Sequence, residues 1–550
     1  MSKKSSTGAL TKEQHAAQDA RYAEGHEYDY VIIGTGSSAL TIGALLANAG
    51  HKVCMLEYHD VPGGYMQTFK TGDYSFCAQV HYTWGCGPGG KVYEFLKRIG
   101  LEKDITFELY DKDGYDHMVM PDGKTVNIPY DFKRLAENIE AVYSGQGESV
   151  RKFCAILSQI RTELRAFPER KIKWYEYITK VLQFLTLLRY RNATVQDLFD
   201  ECGVPKKAQA VLAANAGDFM EPPNRLSIFA YAGLFGGYNL GAYYPSKHFK
   251  YYVNRLANFI TSHDGCHIYY ETEVTKINTD GAKVTSVETA DKKIFTAKQF
   301  ICNMDPKSAA KKLIGWEKFP ETYQKKLSYE YSPSGMVIYL GLKPGFDLTK
   351  YKFGKFNTWH LQEWDLNKTW ADQLAGNFEK CWWFMSTPTL HSSAPGTAPA
   401  GAHILEIATL TDYDSFHDAQ KEGYAVYMKK KMQLAERLLD LVEKNYIPDL
   451  RKNIVVKSIG TTTTNEDYVL AARGNAYGSA MIPSQMAMGR LKADTPWQNF
   501  FWCNASSGYA GMYGTVHTGM SLYMQLTGDT FYRGENSPTD EEFIETLYKS

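Results

Sequence analysis

Residues 30–39 read Tyr30-Val31-Ile32-Ile33-Gly34-Thr35-Gly36-Ser37-Ser38-Ala39. Four large residues running into Gly-x-Gly-x-x-Ala make a buried parallel strand that turns sharply into a helix. Gly34 permits the bend, Gly36 leaves room for a phosphate to approach the backbone, and Ala39 lets the helix lie close to the sheet. The helix is expected to run to Ala49 and stop at Gly50. A second strand, Lys52-Val53-Cys54-Met55-Leu56, then ends on Glu57, 21 positions after Gly36. This is a complete βαβ unit, with Ser37 and Ser38 at the helix N-terminus where phosphates bind. A carboxylate at the end of the second strand is placed to accept both ribose hydroxyls of a dinucleotide and would repel a 2′-phosphate.

The next stretch, Asp60-Val61-Pro62-Gly63-Gly64-Tyr65, adds a second close backbone approach at Gly63 and Gly64. A longer cofactor running on toward a flavin ring needs such a step, which selects FAD over NAD. Here the chain resembles a known family. The run Val31 to Gly64, with Phe76 to Trp84 and Gly85 behind it, is similar to the phytoene desaturase, carotenoid isomerase and retinol saturase superfamily, itself related to flavin amine oxidases. Glu273-Val274 and Ala297 to Pro306, containing Asn303, resemble that family's returning meander, where the Val274 backbone would meet adenine. Arg473 to Gly478 and Thr495 to Cys503 resemble its saturase branch. The resemblance covers three segments, under half of the chain. It implies FAD and a long apolar substrate: a polyene, a retinoid or a fatty acyl chain.

The chain departs from that family after its last strand, where relatives carry Gly-Asp and this sequence has Cys503-Asn504. An amide there still donates and accepts hydrogen bonds, so Asn504 is the expected holder of the ribityl chain. A helix expected from Thr515 would aim its positive end at the flavin, bringing Gly511, Thr515 and Val516 into the cofactor set; core packing by Val516, Met520, Tyr523 and Met524 is the plainer role. His81 and Tyr82, with Trp84 nearby, fall where the related enzymes approach the flavin. Tyr509, Tyr513 and His517 flank the final glycine loop. These five are the candidate catalytic side chains, His81 as a proton donor to a carbon skeleton, although a hydrogen-bonded structural histidine is the commoner case. Motifs for a zinc protease or a serine hydrolase are absent, which leaves the chemistry to the flavin.

The expected architecture is α/β: a Rossmann-like FAD-binding domain with an antiparallel meander, plus an inserted α+β substrate (cap) domain. The FAD domain is read as discontinuous over residues 28–110, 245–315 and 456–535, the cap as 111–244 and 316–455, and residues 1–27 as a flexible tail without an apolar signal region. Strands are expected at Met336 to Leu340 and Ile404 to Leu410, and a helix from Tyr424 to Lys444.

Composition bounds the rest. A net charge of zero and a pI near 7.2 exclude the basic face that nucleic acid requires. Nine scattered cysteines without a C-x-x-C pair predict neither a disulfide framework nor a metal site, and place the chain in a reducing, cytoplasm-like compartment. Residues 171–191 carry an apolar stripe, Ile178, Val181, Leu182, Leu185 and Leu188, flanked by lysines and arginines. That pattern suits peripheral contact with a bilayer as well as it suits a helix covering its own core. Three functions are in view: a saturase or desaturase of carbon–carbon double bonds, a redox-neutral double-bond isomerase, and a binding protein of the GDP dissociation inhibitor type that resembles the same fold without FAD.

Overall fold

The computed structural model describes residues 10–167, 181–392, 394–530 and 540–549. Its organising element is the strand Tyr28–Ile33, which pairs in parallel with Val53–Leu56 on one side and with Ala297–Cys302 on the other. His267–Tyr269 and Phe500–Trp502 extend the sheet at its two edges, giving five parallel strands. Side chains alternate between its faces. Tyr30, Ile32, Val53 and Met55 pack with the helices Ser37–Asn48 and His248–Thr261. Val31, Ile33, Cys54 and Leu56 pack with the antiparallel meander Val274–Asp280, Lys283–Thr289 and Ile294–Phe295. A parallel sheet covered on both faces needs apolar residues at every position, which is why this strand reads as a continuous run. Each large side chain so buried contributes about 1.5–3 kcal/mol relative to exposure.

The second layer is a seven-stranded mixed sheet. Its order is Ile454–Gly460, Ser334–Leu342, His403–Thr411, Trp383–Ser386, Asn357–His360, Asp116–Val119 and Thr125–Ile128. The neighbours are antiparallel except for Asn357–His360 beside Asp116–Val119. Helix Tyr424–Asn445 lays Leu434, Leu438 and Val442, spaced by four, into the core on one face of this sheet. The α/β fold is therefore a parallel dinucleotide sheet joined to a mixed second sheet, as the sequence implies.

Three elements cross or extend beyond the expected bounds. Residues 12–23, read as tail, form the helix Lys12–Ala23. A Thr11/Gln14 capping box opens it, and Gln18 exchanges hydrogen bonds with the backbone of Tyr270 at 3.1 and 2.7 Å. The expected boundary at 456 cuts the strand Ile454–Gly460, which belongs to the second sheet. Likewise Ala242–Pro245 spans the boundary at 244 and pairs with Thr83–Trp84 and Phe107–Leu109.

Candidate active site

The dinucleotide end is built from glycine geometry. Gly34 has φ +95°, and Gly36 is the N-cap of Ser37–Asn48 without any side-chain cap. The amides of that helix's first turn are donors with no partner inside the helix, and the buried Ser37 Oγ has no hydrogen-bond partner. Gly63 (φ +119°) and Gly64 (φ +56°) lie against this turn. The Gly63 amide donates to Thr35 O at 3.1 Å, and a Cβ on Gly64 would lie 3.4 Å from Gly36 Cα. The two glycine pairs, distant by nearly thirty positions, thus form one cradle.

Glu57, almost fully buried, faces the same turn. Its Oε2 accepts from Thr35 N at 2.9 Å and from the Thr35 hydroxyl, and its Oε1 accepts from His59 N at 2.9 Å. A carboxylate offers about four acceptor positions, so capacity remains for a ribose hydroxyl. Val274 begins the meander just after Thr272, whose amide donates to Glu57 O at 2.7 Å.

Asn303 acts as a brace. Its Oδ1 accepts from Gly36 N at 2.9 Å, while Nδ2 donates to Ser38 Oγ at 2.9 Å and to Cys503 O at 2.6 Å. Ser38 Oγ in turn donates to Cys503 O at 2.8 Å. Both side chains therefore tie the glycine turn to the far strands, and Ala39 is wholly buried beneath it. Asn504 is similarly engaged: Oδ1 accepts from the amides of Ser506 and Ser507, and Nδ2 donates to Met304 O at 2.8 Å. Its side chain shapes the loop that follows the last parallel strand.

The closing helix is Gly511–Thr527, beginning four residues before the expected Thr515. Its first turn is set by Gly511 at φ +73°, and the Thr515 hydroxyl bonds back to Gly511 O at 2.8 Å. Thr515 and Val516 thus lie inside the helix, with Val516 in the core. Tyr513 stacks on Trp84, and a Cβ on Gly85 would lie 2.3 Å from the Tyr513 ring. Tyr509 stacks on His517, centroids 4.6 Å apart, and His517 Nε2 lies 2.6 Å from Lys91 Nζ.

The five catalytic candidates fall into two groups. Tyr509, Tyr513 and His517 share the start of the closing helix. His81 and Tyr82 reach the other way, into the second sheet. His81 Nδ1 lies 2.6 Å from Oε2 of the buried Glu406. The Tyr82 hydroxyl donates toward two carboxyls, Asp218 Oδ2 at 2.5 Å and Asp116 Oδ2 at 3.0 Å. Burial raises Asp116 to about 7 and, with help from the Asp116 charge, raises Asp218 well above the usual carboxylate range. Trp84, two residues beyond Tyr82, joins the groups.

Glu406, Asp116, Asp218 and Lys91 were not picked out from sequence. Glu406 had a signal, a lone carboxylate in Ile404-Leu405-Glu406-Ile407, and Asp116 a weaker one at an inward strand position. Asp218 had none. All nine cysteines are free and buried, so no disulfide framework exists. Among the described residues, no helix is long and apolar enough to cross a membrane. Of the apolar stripe in 171–191, residues through Lys180 lie outside the described residues; Leu182, Leu185 and Leu188 point to solvent, 75%, 54% and 42% exposed.

A glycine cradle at a helix N-terminus, an acid at the end of the second strand and a meander beside it define a dinucleotide-binding flavoprotein. The chain belongs to the flavin containing amine oxidoreductase family, which matches residues 40–521. FAD follows as the cofactor of this family, and the unpartnered buried Ser37 Oγ at the helix N-terminus fits it. Over 512 residues the chain is 23% identical to prolycopene isomerase 1, chloroplastic, of an Oncidium hybrid cultivar, covering 90% of this chain and 82% of that protein. It is 23% identical over 518 residues to the all-trans-retinol 13,14-reductase of Danio rerio, covering 86% and 82%. In fold it is similar to cyclohexylamine oxidase from Brevibacterium oxydans, with a TM-score of 0.58 at 12% identity, covering 95% of this chain and all of that one.

Proposed function

We propose that this chain is an FAD-dependent oxidoreductase acting on carbon–carbon double bonds of a long apolar, polyene-like substrate, as a saturase or desaturase. The observation that carries the reading is the built cradle of Gly34, Gly36, Glu57, Gly63 and Gly64 in a chain aligned along most of its length with polyene- and retinoid-named relatives. In it, Glu57 would hold the adenosine ribose, Ser37 and the first amides of its helix the pyrophosphate, and Gly511 and Thr515 would bring the closing helix to the ring. Flavin supplies hydride transfer at N5. The chain's own residues exclude water, through Trp84 and Tyr513, and hold protons at His81 and Tyr82. Redox-neutral double-bond isomerisation is the second reading, favoured by the prolycopene isomerase relatives. The intact glycine set supports an enzyme over a GDP dissociation inhibitor type of binding protein. The outward Leu182, Leu185 and Leu188 support peripheral contact with a bilayer, the place an apolar substrate would come from.

The purified protein should show flavin absorption bands or acquire them on reconstitution with FAD. Incubated anaerobically with fatty acids, retinoids and carotenes, with and without dithionite, it should change the double-bond number of a polyene. A change of geometry at constant double-bond number would establish the isomerase instead. Failure to take up FAD at all would sink both enzyme readings.

A further inference from the structure

Tyr82, Asp116 and Asp218 make a buried group that the cofactor cradle does not use. A phenol has one proton to donate, yet both carboxyls stand within hydrogen-bond distance of the same hydroxyl, at 3.0 and 2.5 Å. Two carboxylates facing one donor in a dry interior would repel each other strongly, and such a pair keeps a proton. Nothing cationic offsets them: among the described residues no Lys or Arg pairs with either acid, and their other polar neighbours are neutral, Asn357 Nδ2 at 3.2 Å and Trp359 on Asp116 and Tyr238 on Asp218. Asn357 Oδ1, on the same amide, is a buried acceptor with no partner.

The ionisable groups packed around the trio are Tyr110, Tyr115, Tyr130, Tyr238 and Tyr477, whose phenols burial keeps neutral, and the His81–Glu406 pair one residue away. Tyr82 stacks on Tyr238 at 4.9 Å and 11°, which fixes its ring. Its position is interdomain. Asp116 belongs to the second sheet, whereas Trp84, two residues on, meets Tyr513 of the closing helix.

We propose that Asp116, Tyr82 and Asp218 form a proton-holding unit that gives or takes the proton of the double-bond reaction through the Tyr82 hydroxyl. The proposal rests on the reading of the chain as a flavoenzyme of carbon–carbon double bonds. In saturation the bound flavin, reduced by an external two-electron donor, would supply one hydride with its two electrons, and the unit would supply one proton. The Tyr82 O–H bond breaks as the second C–H bond forms, and the phenolate regains a proton from the carboxyl pair. In isomerisation the proton is lent and returned, with no net change. Asp116 and Asp218 are positioning residues that act through Tyr82.

The test uses the full-length, FAD-loaded protein. Infrared spectroscopy at neutral pH should show a protonated-carboxyl stretch that shifts in D2O, disappears in Asp116→Asn combined with Asp218→Asn, and moves in Tyr82→Phe. With all-trans-retinol as probe and dithionite as donor, Tyr82→Phe should lower kcat by about 100-fold, within the range for general acid catalysis, while FAD binding stays unchanged. Asp116→Asn should shift the alkaline limb of the kcat profile without removing the flavin. Absence of the protonated-carboxyl band, or wild-type turnover by Tyr82→Phe, would overturn the proposal. If FAD binds but retinol is not turned over, the substrate reading fails at that probe and the infrared result alone decides for or against the trio.

Discussion

Gly36→Ala probes the cradle at its tightest point. The added Cβ would stand 2.4 Å from Asn303 Oδ1 and 3.4 Å from Asn303 Cγ. The backbone itself raises no objection, since φ −64° and ψ 171° suit alanine. Asn303 must therefore move, and its amide is held by three hydrogen bonds, from Gly36 N, to Ser38 Oγ and to Cys503 O. At about 1 kcal/mol each, their loss costs about 3 kcal/mol, offset by at most ~1 kcal/mol from stiffening the unfolded chain. The expected net loss is ~2 kcal/mol in urea denaturation of the FAD-free protein. FAD affinity, followed by flavin fluorescence, should fall by at least about tenfold, since each 1.4 kcal/mol is a factor of ten. The diagnostic is the double variant. If the clash with Asn303 causes the loss, Gly36→Ala should be neutral or slightly stabilising once Asn303→Ala is present, a coupling of ~3 kcal/mol. Additive effects within about 0.5 kcal/mol, the behaviour of independent sites, would refute this account.

Three further outcomes are expected. Glu57→Gln removes a charge and one acceptor from a buried carboxylate bonded to Thr35 and His59; it should cost ~1–3 kcal/mol and weaken FAD binding, and undiminished affinity in a titration would place the ribose partner elsewhere. Burial lowers His117, His248 and His360 to about 4 and His391 to about 3. The unfolded chain thus binds more protons below about pH 6.5, and the stability these neutral histidines lend is full above that pH and lost as pH falls toward 4. His267, also lowered to about 4, adds to this, while Asp116, raised to about 7, and Asp111, Asp218 and Glu221, which burial likewise raises, act oppositely and offset part of it; urea midpoints that stay level from pH 7 to 5 would contradict a net histidine contribution. Finally, flotation with liposomes should be lost in the Leu182→Asp, Leu185→Asp double variant, and equal flotation of both proteins would remove the bilayer reading.

Local physics made the dinucleotide unit legible. A strand buried on both faces must be apolar throughout, a turn at φ +95° favours glycine at Gly34, and an acid at the strand end has few other reasons to be there. The strand Ser334–Leu342 and the helix Tyr424–Asn445 were readable for the same reason: their periodicity is written in neighbouring residues. The helix Lys12–Ala23 was missed because no residue in it is buried, so no apolar stripe marks it; its anchor is Tyr270, 252 positions away from Gln18.

The sequence by itself determined a flavin-type dinucleotide fold and where its cradle begins. The tertiary structure alone decided what the polar side chains do. Asn303 reaches Gly36 across 267 positions, Glu406 reaches His81 across 325, and Asp218 reaches Tyr82 across 136. Such pairings are set by how two sheets pack, and a single chain carries no local mark of them, because hydrogen-bond partners are chosen by distance in space while periodicity records only which face of an element is dry.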